Sequence, residues 1–209
     1  MAQYGQRIAE DRRRHPRGDL ISLIATAEID GERLNEAEMA AFWNLLVVAG
    51  NETTRNAIAG GIVEISSRGL WSDLRSQPEL VRTAVAEVLR FVTPVMQFRR
   101  TAVRDVVLGD QQIRAGDKVV MFYAAANRDP DVFVDPHNFQ IDRSPNLHLS
   151  FGVGAHACLG AQLARLEMST LYGEMIKRIR DIEVIGKVVG VQSNSLRQIA
   201  QVPVRVNRA

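Results

Sequence analysis

The pattern of apolar and polar positions predicts helices in the first third of the chain. Residues Ala2–Arg14 are mostly helix formers, and Asp19 is placed to cap a second short helix. Asn35 and Glu38 have the spacing of a capping box, in which each residue satisfies the other's backbone N–H group. Because no proline interrupts Glu36–Ser67, the pattern predicts one long helix after that box.

The rest of the chain alternates between helical and strand-like patterns. Pro78 suits the first turn of a helix, and turns at Gly109 and Gly116 separate apolar runs of strand length. The predicted elements are a helix over 78–91, short antiparallel strands over 95–123, an irregular segment over 129–143, a helix over 159–180 and a terminal hairpin over 184–206 with its turn near 193–195. The predicted fold class is therefore mainly α with a small antiparallel β component.

Composition and charge are those of an ordinary globular protein. Of the 209 residues, 46% are hydrophobic and 24% are charged, and 26 Lys and Arg against 24 Asp and Glu leave a net charge of +2. The charges alternate in sign except at 12–14, so nucleic acid is not a favoured partner.

Neither a membrane anchor nor an export signal is visible in the sequence. The longest apolar stretch, 45–50, is much shorter than the about 18 residues that indicate a membrane-spanning helix. The first 14 residues lack the apolar core of a signal peptide. The single cysteine, Cys158, cannot form an internal disulfide. We therefore expect a cytoplasmic protein.

The strongest candidate site is the segment FGVGAHACLG at 151–160, which leads directly into a predicted helix. Its glycines allow the backbone to approach a flat ligand closely. A thiolate near a helix N-terminus is stabilised by unpaired N–H groups and by the helix dipole. A metal ion bound by Cys158 would therefore have one soft anionic ligand.

Three other interpretations of this segment are open. Cys158 could be a buried structural cysteine, which is common for a lone thiol. Gly152, Gly154 and Ala157 match the relaxed dinucleotide-binding pattern, although the short stretch before them is not a typical buried strand. Cys158 and His156 could also form a nucleophilic pair, but alternate residues entering a helix need not face each other.

The segment 151–160 resembles, at every defining position, the haem-ligand motif of the cytochrome P450 monooxygenases. The resemblance implies haem b as the cofactor, with Cys158 as the axial thiolate on its iron. It also implies that Phe151 packs near the sulfur and that His156 hydrogen-bonds a haem propionate. The glycines that would give the loop its close approach are Gly152, Gly154 and Gly160.

A second resemblance lies in the long helix, where AGNETT at 49–54 is similar to the oxygen-activation segment of that family. It implies that Ala49 and Gly50 lie against the distal face of the haem. Reduced dioxygen must receive two protons, which requires a nearby hydroxyl and an acid that relays protons from solvent. The implied hydroxyl is that of Thr53 and the implied acid is Glu52. The alternative is that Thr53 only bonds back to the preceding turn and Glu52 is solvated.

Glu87 and Arg90 are spaced so that both lie on one helix face, which by itself is typical of a surface ion pair. In the family that the chain resembles, this pair is buried and joined by an arginine from the irregular segment. Arg143 has that position here. The implied role is architectural, because a buried charge that loses its partner is costly.

Further family positions concern the propionates, the substrate and the electron donor. Arg100 matches a propionate-binding arginine, with Arg99 as the alternative in register. The segment 94–98 and the terminal turn at 195–196 match substrate contacts, with ordinary apolar core as the alternative for the residues before the strand. Arg165 matches a surface position that docks the electron donor, and an ordinary solvated arginine is the alternative.

The resemblance covers nearly all 209 residues but only the carboxyl-terminal part of the family's fold. It implies one domain over 1–209 that lacks the preceding helices. The implied activity inserts one oxygen atom of O2 into a C–H bond of a lipophilic substrate, such as a sterol, terpenoid or branched lipid. Electrons would come from NAD(P)H through a ferredoxin. A truncated haem-binding remnant without turnover and a nucleotide-binding module that uses the glycine loop are the two alternatives.

Overall fold

Residues 2–208 are described by the structure, which is a computed structural model. Their α-helices are α1 (Ala2–Arg14), α2 (Leu20–Thr26), α3 (Glu36–Ser67), α4 (Trp71–Ser76), α5 (Val81–Val92), α6 (Tyr123–Ala126) and α7 (Ala161–Arg178). Their strands are β1 (Glu28–Ile29), β2 (Glu32–Arg33), β3 (Gln97–Thr101), β4 (Val106–Leu108), β5 (Gln111–Ile113), β6 (Lys118–Phe122), β7 (Ile179–Val184), β8 (Val189–Val191), β9 (Gln198–Gln201) and β10 (Val204–Arg208). The fold is mainly helical with small antiparallel ladders, as predicted. Contacts divide the chain into two compact units, the first ending at Glu52 and the second beginning at Thr53.

Capping residues define the helices of the first unit. The Asp19 carboxylate accepts hydrogen bonds from the Ser22 N–H at 2.7 Å and the Arg12 Nε–H at 2.6 Å. The bond from Arg12, followed by those from Ser22, lowers the pKa of Asp19 to about 2. At the start of α3, Asn35 and Glu38 exchange hydrogen bonds of 2.9 and 3.0 Å, which confirms the predicted capping box.

The core of the second unit contains the end of α3 together with α4, α5 and α7. Gly61 on α3 permits close packing, because a Cβ at this position would overlap the Tyr172 hydroxyl of α7. That hydroxyl donates a hydrogen bond of 3.0 Å to the Ile58 carbonyl, and burial raises the pKa of Tyr172. Buried apolar side chains of α5, among them Val85 and Val88, fill the same core.

The strands form five antiparallel pairs: β1 with β2, β3 with β6, β4 with β5, β7 with β10 and β8 with β9. The predicted terminal hairpin is present, but it is nested, since the β8–β9 pair lies within the loop that joins β7 to β10. The predicted last helix over 159–180 is present as α7, which is two residues shorter at each end. Helix α7 ends at Arg178 because Ile179 already pairs in β7, opposite Arg208.

The predicted helix over 78–91 divides into a 3-10 turn at Pro78–Leu80 and the α-helix α5. Thr93 ends α5 with a φ of 45° and donates its N–H to the Leu89 carbonyl at 3.1 Å. The prediction missed α4 and α6, which are too short to show an apolar repeat. Residues 129–143 contain neither α-helix nor strand, which confirms the irregular segment. None of the helices in 2–208 is long and apolar enough to span a membrane.

Candidate functional site

The cysteine loop, defined as residues 151–160, folds back on itself before α7. The Cys158 N–H donates to the Phe151 carbonyl at 2.8 Å, and the Ala157 N–H donates to the Gly154 carbonyl at 3.0 Å. A 3-10 turn over Gly154–His156 lies inside this closure. The side chain of Cys158 is exposed. The loop therefore presents a thiol on its surface instead of burying it, which contradicts the interpretation as a buried structural cysteine.

Two of the three predicted loop glycines have backbone reasons to be glycine. Gly152 and Gly154 have φ values of 65° and 68°, in the left-handed region that side chains rarely adopt. A Cβ on Gly152 would also lie 3.3 Å from the His156 carbonyl oxygen. Gly160 has a φ of −85°, which any residue adopts, and its Cβ position is 4.0 Å from the Cys158 sulfur.

The other two interpretations of the loop disagree with the structure. Residues 147–150 before the loop are not in a strand, whereas a dinucleotide-binding loop connects a buried strand to a helix. Within 2–208, no hydrogen bond joins Cys158 to His156, so the nucleophilic pair has no geometric basis. Because no buried strand precedes the loop, the nucleotide-binding interpretation is wrong for this fold.

Phe151 is packed between charged and aromatic neighbours. The Arg165 guanidinium carbon lies 4.5 Å from the centre of the Phe151 ring, and the His148 ring centre lies 5.6 Å from it. Burial, together with the positive charge of Arg165, lowers the pKa of His148 to about 4. The neutral His148 ring accepts the Ser150 N–H at its Nδ1 over 3.3 Å. Sequence reasoning missed His148, which no motif marks.

The base of the loop is held by Asn127, another residue that sequence reasoning missed. Its side-chain amide is fully buried, donating to Thr93 Oγ1 and Ser150 Oγ at 2.9 Å each and accepting the Leu149 N–H at 2.7 Å. The Ser150 hydroxyl in turn donates to the Leu89 carbonyl at 2.6 Å. These bonds connect the end of α5 to the segment that precedes Cys158. An asparagine that follows a one-turn helix such as α6 gives no signal in the sequence, since asparagines at such places usually occupy exposed turns.

Glu87 is the centre of a buried charge network, as predicted. Its carboxylate accepts two bonds of 2.7 Å from Arg90 and one of 3.1 Å from Arg143. It also accepts the Gln140 N–H at 2.9 Å and an amide N–H of Asn146 at 3.0 Å. Burial alone would raise the pKa of Glu87, but the bonds from Arg90 and Gln140 and the two positive charges outweigh it and lower this pKa.

The two arginines of this network also hold the irregular segment. Arg90 donates to the carbonyls of Pro136 and Asn138 at 2.8 and 3.1 Å. Arg143 donates to the carbonyls of Val134 and Asn138 at 2.7 and 3.1 Å. A segment without regular secondary structure thereby satisfies its backbone carbonyls through buried guanidinium groups.

Strand β3 carries the predicted propionate-binding residue. Arg100 lies opposite Val119 in the β3–β6 ladder, and its side chain is exposed. Arg99 immediately precedes Arg100 in the strand, so the two arginines point to opposite faces of the ladder. Phe98, on the face of Arg100, contacts Tyr123 with ring centres 5.9 Å apart, and the Tyr123 hydroxyl is 3.7 Å from the Cβ position of Gly152. Tyr123 thus connects β3 to the cysteine loop.

The two segments that match substrate contacts lie together in the structure. The Met96 N–H donates to the Ser195 carbonyl, and the Arg197 N–H donates to the Pro94 carbonyl, each at 2.8 Å. Val95 and Leu196 form an isolated antiparallel bridge between them. Segment 94–98 and the terminal turn are therefore neighbours, although about 100 residues separate them in the chain.

The predicted oxygen-activation residues lie within α3. Ala49, Gly50 and Glu52 belong to the first unit, and Thr53 is the first residue of the second. Within the second unit, Asn56 lies one turn after Thr53, is buried, and accepts the Ile199 N–H at 2.8 Å. Asn56, which the prediction missed, therefore connects this part of α3 to β9.

The residues of the loop fit a haem group by their chemistry. The Cys158 thiol, once deprotonated, would supply the one soft anionic ligand that a haem iron with thiolate ligation needs. Its neighbours Val153 and Leu159 are 70% and 75% exposed, and such apolar surface suits contact with a porphyrin ring. His156 and Arg100 are exposed side chains that can donate hydrogen bonds to propionates. In the described part of the chain, no group of three or more His, Cys, Asp or Glu side chains could hold a metal ion.

Comparison with known proteins gives consistent matches. The family model described as "Cytochrome P450" matches residues 66–181. The methyl-branched lipid omega-hydroxylase of Mycobacterium tuberculosis is 43% identical over 207 residues, covering 96% of this chain and 48% of the relative. The steroid C26-monooxygenase of Mycolicibacterium smegmatis is 41% identical over 202 residues, covering 95% of this chain and 47% of the relative. The chain spans about half the length of the curated relatives it matches.

The fold also matches solved structures. The crystal structure of CYP109E1 from Bacillus megaterium in complex with testosterone superposes with a TM-score of 0.91 at 35% identity. That superposition covers 99% of this chain and 58% of the other.

Proposed function

Because this chain belongs to the cytochrome P450 family, we propose that it forms the carboxyl-terminal, haem-binding part of a haem-thiolate monooxygenase. The proposed reaction inserts one oxygen atom of O2 into a C–H bond of a lipophilic substrate. The observation that carries this proposal is the exposed Cys158 thiol in a closed glycine loop immediately before α7. Haem b, when bound, supplies oxygen activation at its iron, which a thiolate ligand favours by donating electron density.

The residues of this chain supply ligation, orientation and proton transfer. Cys158 is the proposed ligand, and His156 and Arg100 are the proposed hydrogen-bond donors to the two propionates. Fixed donors of this kind orient the ring relative to the backbone. Thr53 and Glu52 are the proposed proton donors, since a hydroxyl beside a carboxyl group can pass a proton from solvent into a closed site.

The substrate class is proposed from the relatives and from the terminal turn. The relatives are named for a methyl-branched lipid and a steroid, and both compounds are lipophilic. Segment 94–98 and the turn at 195–196 are held together by backbone hydrogen bonds, so they can present one continuous surface to a substrate. We propose a sterol, terpenoid or branched lipid as the substrate.

Electrons are proposed to come from NAD(P)H through a ferredoxin, which would place the reaction in the cytoplasm. Arg165 is the proposed docking residue for this donor. It is partly exposed, and among residues 2–208 its guanidinium has no carboxylate partner within 4.0 Å. Its positive charge is therefore available to attract an acidic donor protein.

The proposal is tested by a reduced, carbon monoxide difference spectrum of the purified chain after reconstitution with haem. We expect the red-shifted Soret band of thiolate ligation. The full-length steroid C26-monooxygenase of Mycolicibacterium smegmatis serves as the positive control. A normal band from the control beside none from this chain would contradict the proposal that this chain binds haem through Cys158. A band from this chain without substrate oxidation in a ferredoxin system would favour the haem-binding remnant without turnover.

The Thr53→Ala variant tests proton delivery. Without the hydroxyl, we expect NAD(P)H consumption to continue while product formed per NAD(P)H falls on the order of tenfold or more, because an acid–base group contributes about 10²-fold or more to its step. The two quantities are measured in parallel with a ferredoxin system. Thr53→Ser, which keeps the hydroxyl, is the control. Product formation that stays tightly coupled in Thr53→Ala would contradict the assigned role.

A further inference from the structure

Arg165 contacts the cysteine loop through the ring of Phe151. It is on the second turn of α7, seven residues after Cys158, and its guanidinium carbon is 4.5 Å from the ring centre. This distance is within the range of a cation–π contact, which extends to about 6 Å. No carboxylate in 2–208 pairs with this guanidinium, which lies over the aromatic face of Phe151 instead.

Phe151 in turn determines where the backbone of Cys158 lies. The Phe151 carbonyl accepts the Cys158 N–H at 2.8 Å, and this bond closes the loop around its 3-10 turn. The Phe151 ring packs against the core of the second unit and is flanked by His148. A shift of the ring would therefore move the carbonyl that holds Cys158 in place.

We propose that Arg165 is a positioning residue, whose guanidinium holds the Phe151 ring and through it the hydrogen bond from Cys158. This inference extends the proposed function, since the position of Cys158 bears on catalysis only where Cys158 is the ligand. The role is compatible with donor docking. The guanidinium is partly exposed, so the positive charge that attracts the Phe151 ring can also act on a donor protein at the surface.

The planar shape of the guanidinium is essential to this role. Arginine stacks on aromatic faces, whereas a lysine ammonium is a compact and strongly hydrated point charge. Arg165→Lys therefore keeps the charge and the aliphatic stem but loses the planar guanidinium that lies over the ring. A docking role alone predicts that the lysine variant behaves as the original protein does.

The experiment follows the amide of Cys158 directly. The chain has one cysteine, so a sample labelled with ¹⁵N-cysteine gives a single amide resonance. Hydrogen exchange at this amide reports how often its bond to the Phe151 carbonyl opens. The measurement uses the full chain without haem and compares Arg165→Ala, Arg165→Lys and the original protein. Arg178→Ala on the same helix is the control, because Arg178 contacts Glu174 and not the loop.

We expect exchange at the Cys158 amide to be about tenfold faster in Arg165→Ala, with Arg165→Lys intermediate and Arg178→Ala unchanged. Alanine is the best helix former, so α7 itself is not weakened by the substitution. Unchanged exchange in Arg165→Ala would overturn the proposal. So would a lysine variant that matches the original protein while Arg165→Ala is fast, because the plane would then be irrelevant.

A double-mutant cycle separates the contact from any general loss of stability. In a Phe151→Leu background, the further change Arg165→Ala is expected to have no effect on exchange, since the ring is already absent. An equal effect in both backgrounds would overturn the contact as the cause. Haem titration of the same samples is an independent readout. Failure to bind haem would contradict the proposed function and leave the result for Arg165 and Phe151 standing.

Discussion

Replacing Cys158 with alanine is expected to abolish the red-shifted carbon monoxide band of the haem-loaded chain completely. The sequence contains one cysteine, so no second thiolate can take over the axial position. The Cys158 side chain is exposed and contributes nothing to the buried core. We therefore expect the free energy of unfolding of the haem-free chain to change by no more than about 0.5 kcal/mol.

The measurement is the reduced, carbon monoxide difference spectrum, with urea unfolding of the haem-free protein beside it. Cys158→Ser tests whether an oxygen atom can replace sulfur, and we expect it to lose the band as well, since a hydroxyl is not a soft anionic ligand. His156→Ala is the matched control within the loop and is expected to retain the band. An unchanged spectrum in Cys158→Ala would show that another group binds the iron.

Replacing Glu87 with glutamine is expected to lower the free energy of unfolding by about 3–5 kcal/mol. Glutamine has nearly the same shape, but it leaves the charges of Arg90 and Arg143 buried without a counter-charge. Glu87 and Arg90 are fully buried, and Arg143 is nearly so. Since whole proteins are stable by only about 5–15 kcal/mol, this one change removes a large part of the total.

The exposed ion pair of Glu174 with Lys177 is the matched control, because it has the same helical spacing of three residues. Glu174→Gln is expected to change stability by less than about 1 kcal/mol, as is usual for surface pairs. The unfolding of the second unit is followed by the fluorescence of Trp71, which lies in its core. A Trp43→Phe background makes Trp71 the single tryptophan. Equal losses in the two variants would contradict the buried network.

The pH dependence of unfolding gives a second test of Glu87. Because the folded-state pKa of Glu87 is lowered below its ordinary value of 4.5, the unfolded chain binds more protons in acid. This contribution to stability is present above the unfolded pKa and is lost as the pH falls through the folded pKa. The pKa of His148 is lowered to about 4 by burial and by Arg165, so stability is also lost as the pH falls from about 6.5 to 4. This range lies above the one in which Glu87 acts. The part of the acid destabilisation that lies below pH 4.5 is expected to be smaller in Glu87→Gln.

Local chemistry was sufficient to predict the starts of two helices, whereas one buried network was predicted from the family resemblance. The capping pairs at Asp19 and at Asn35 with Glu38 act over three residues, so the sequence shows both partners together. The partnership of Glu87 with Arg143 spans 56 residues and was predicted from a family motif, not from spacing. The end of α7 was misplaced because strand pairing with a distant segment overrode the local helical pattern.

The sequence by itself determined where the candidate site residues lie in the chain, since the loop 151–160 holds a lone cysteine and its turn-forming glycines within ten positions and leads directly into a helix. Only the tertiary structure decided what supports that loop. His148 and Arg165 contact the Phe151 ring of the loop, and Asn127 at the end of α6 holds the residues that precede it. Periodicity and capping act over a few residues, whereas these contacts exist only after distant segments pack together, and burial then fixes their hydrogen bonds and charges.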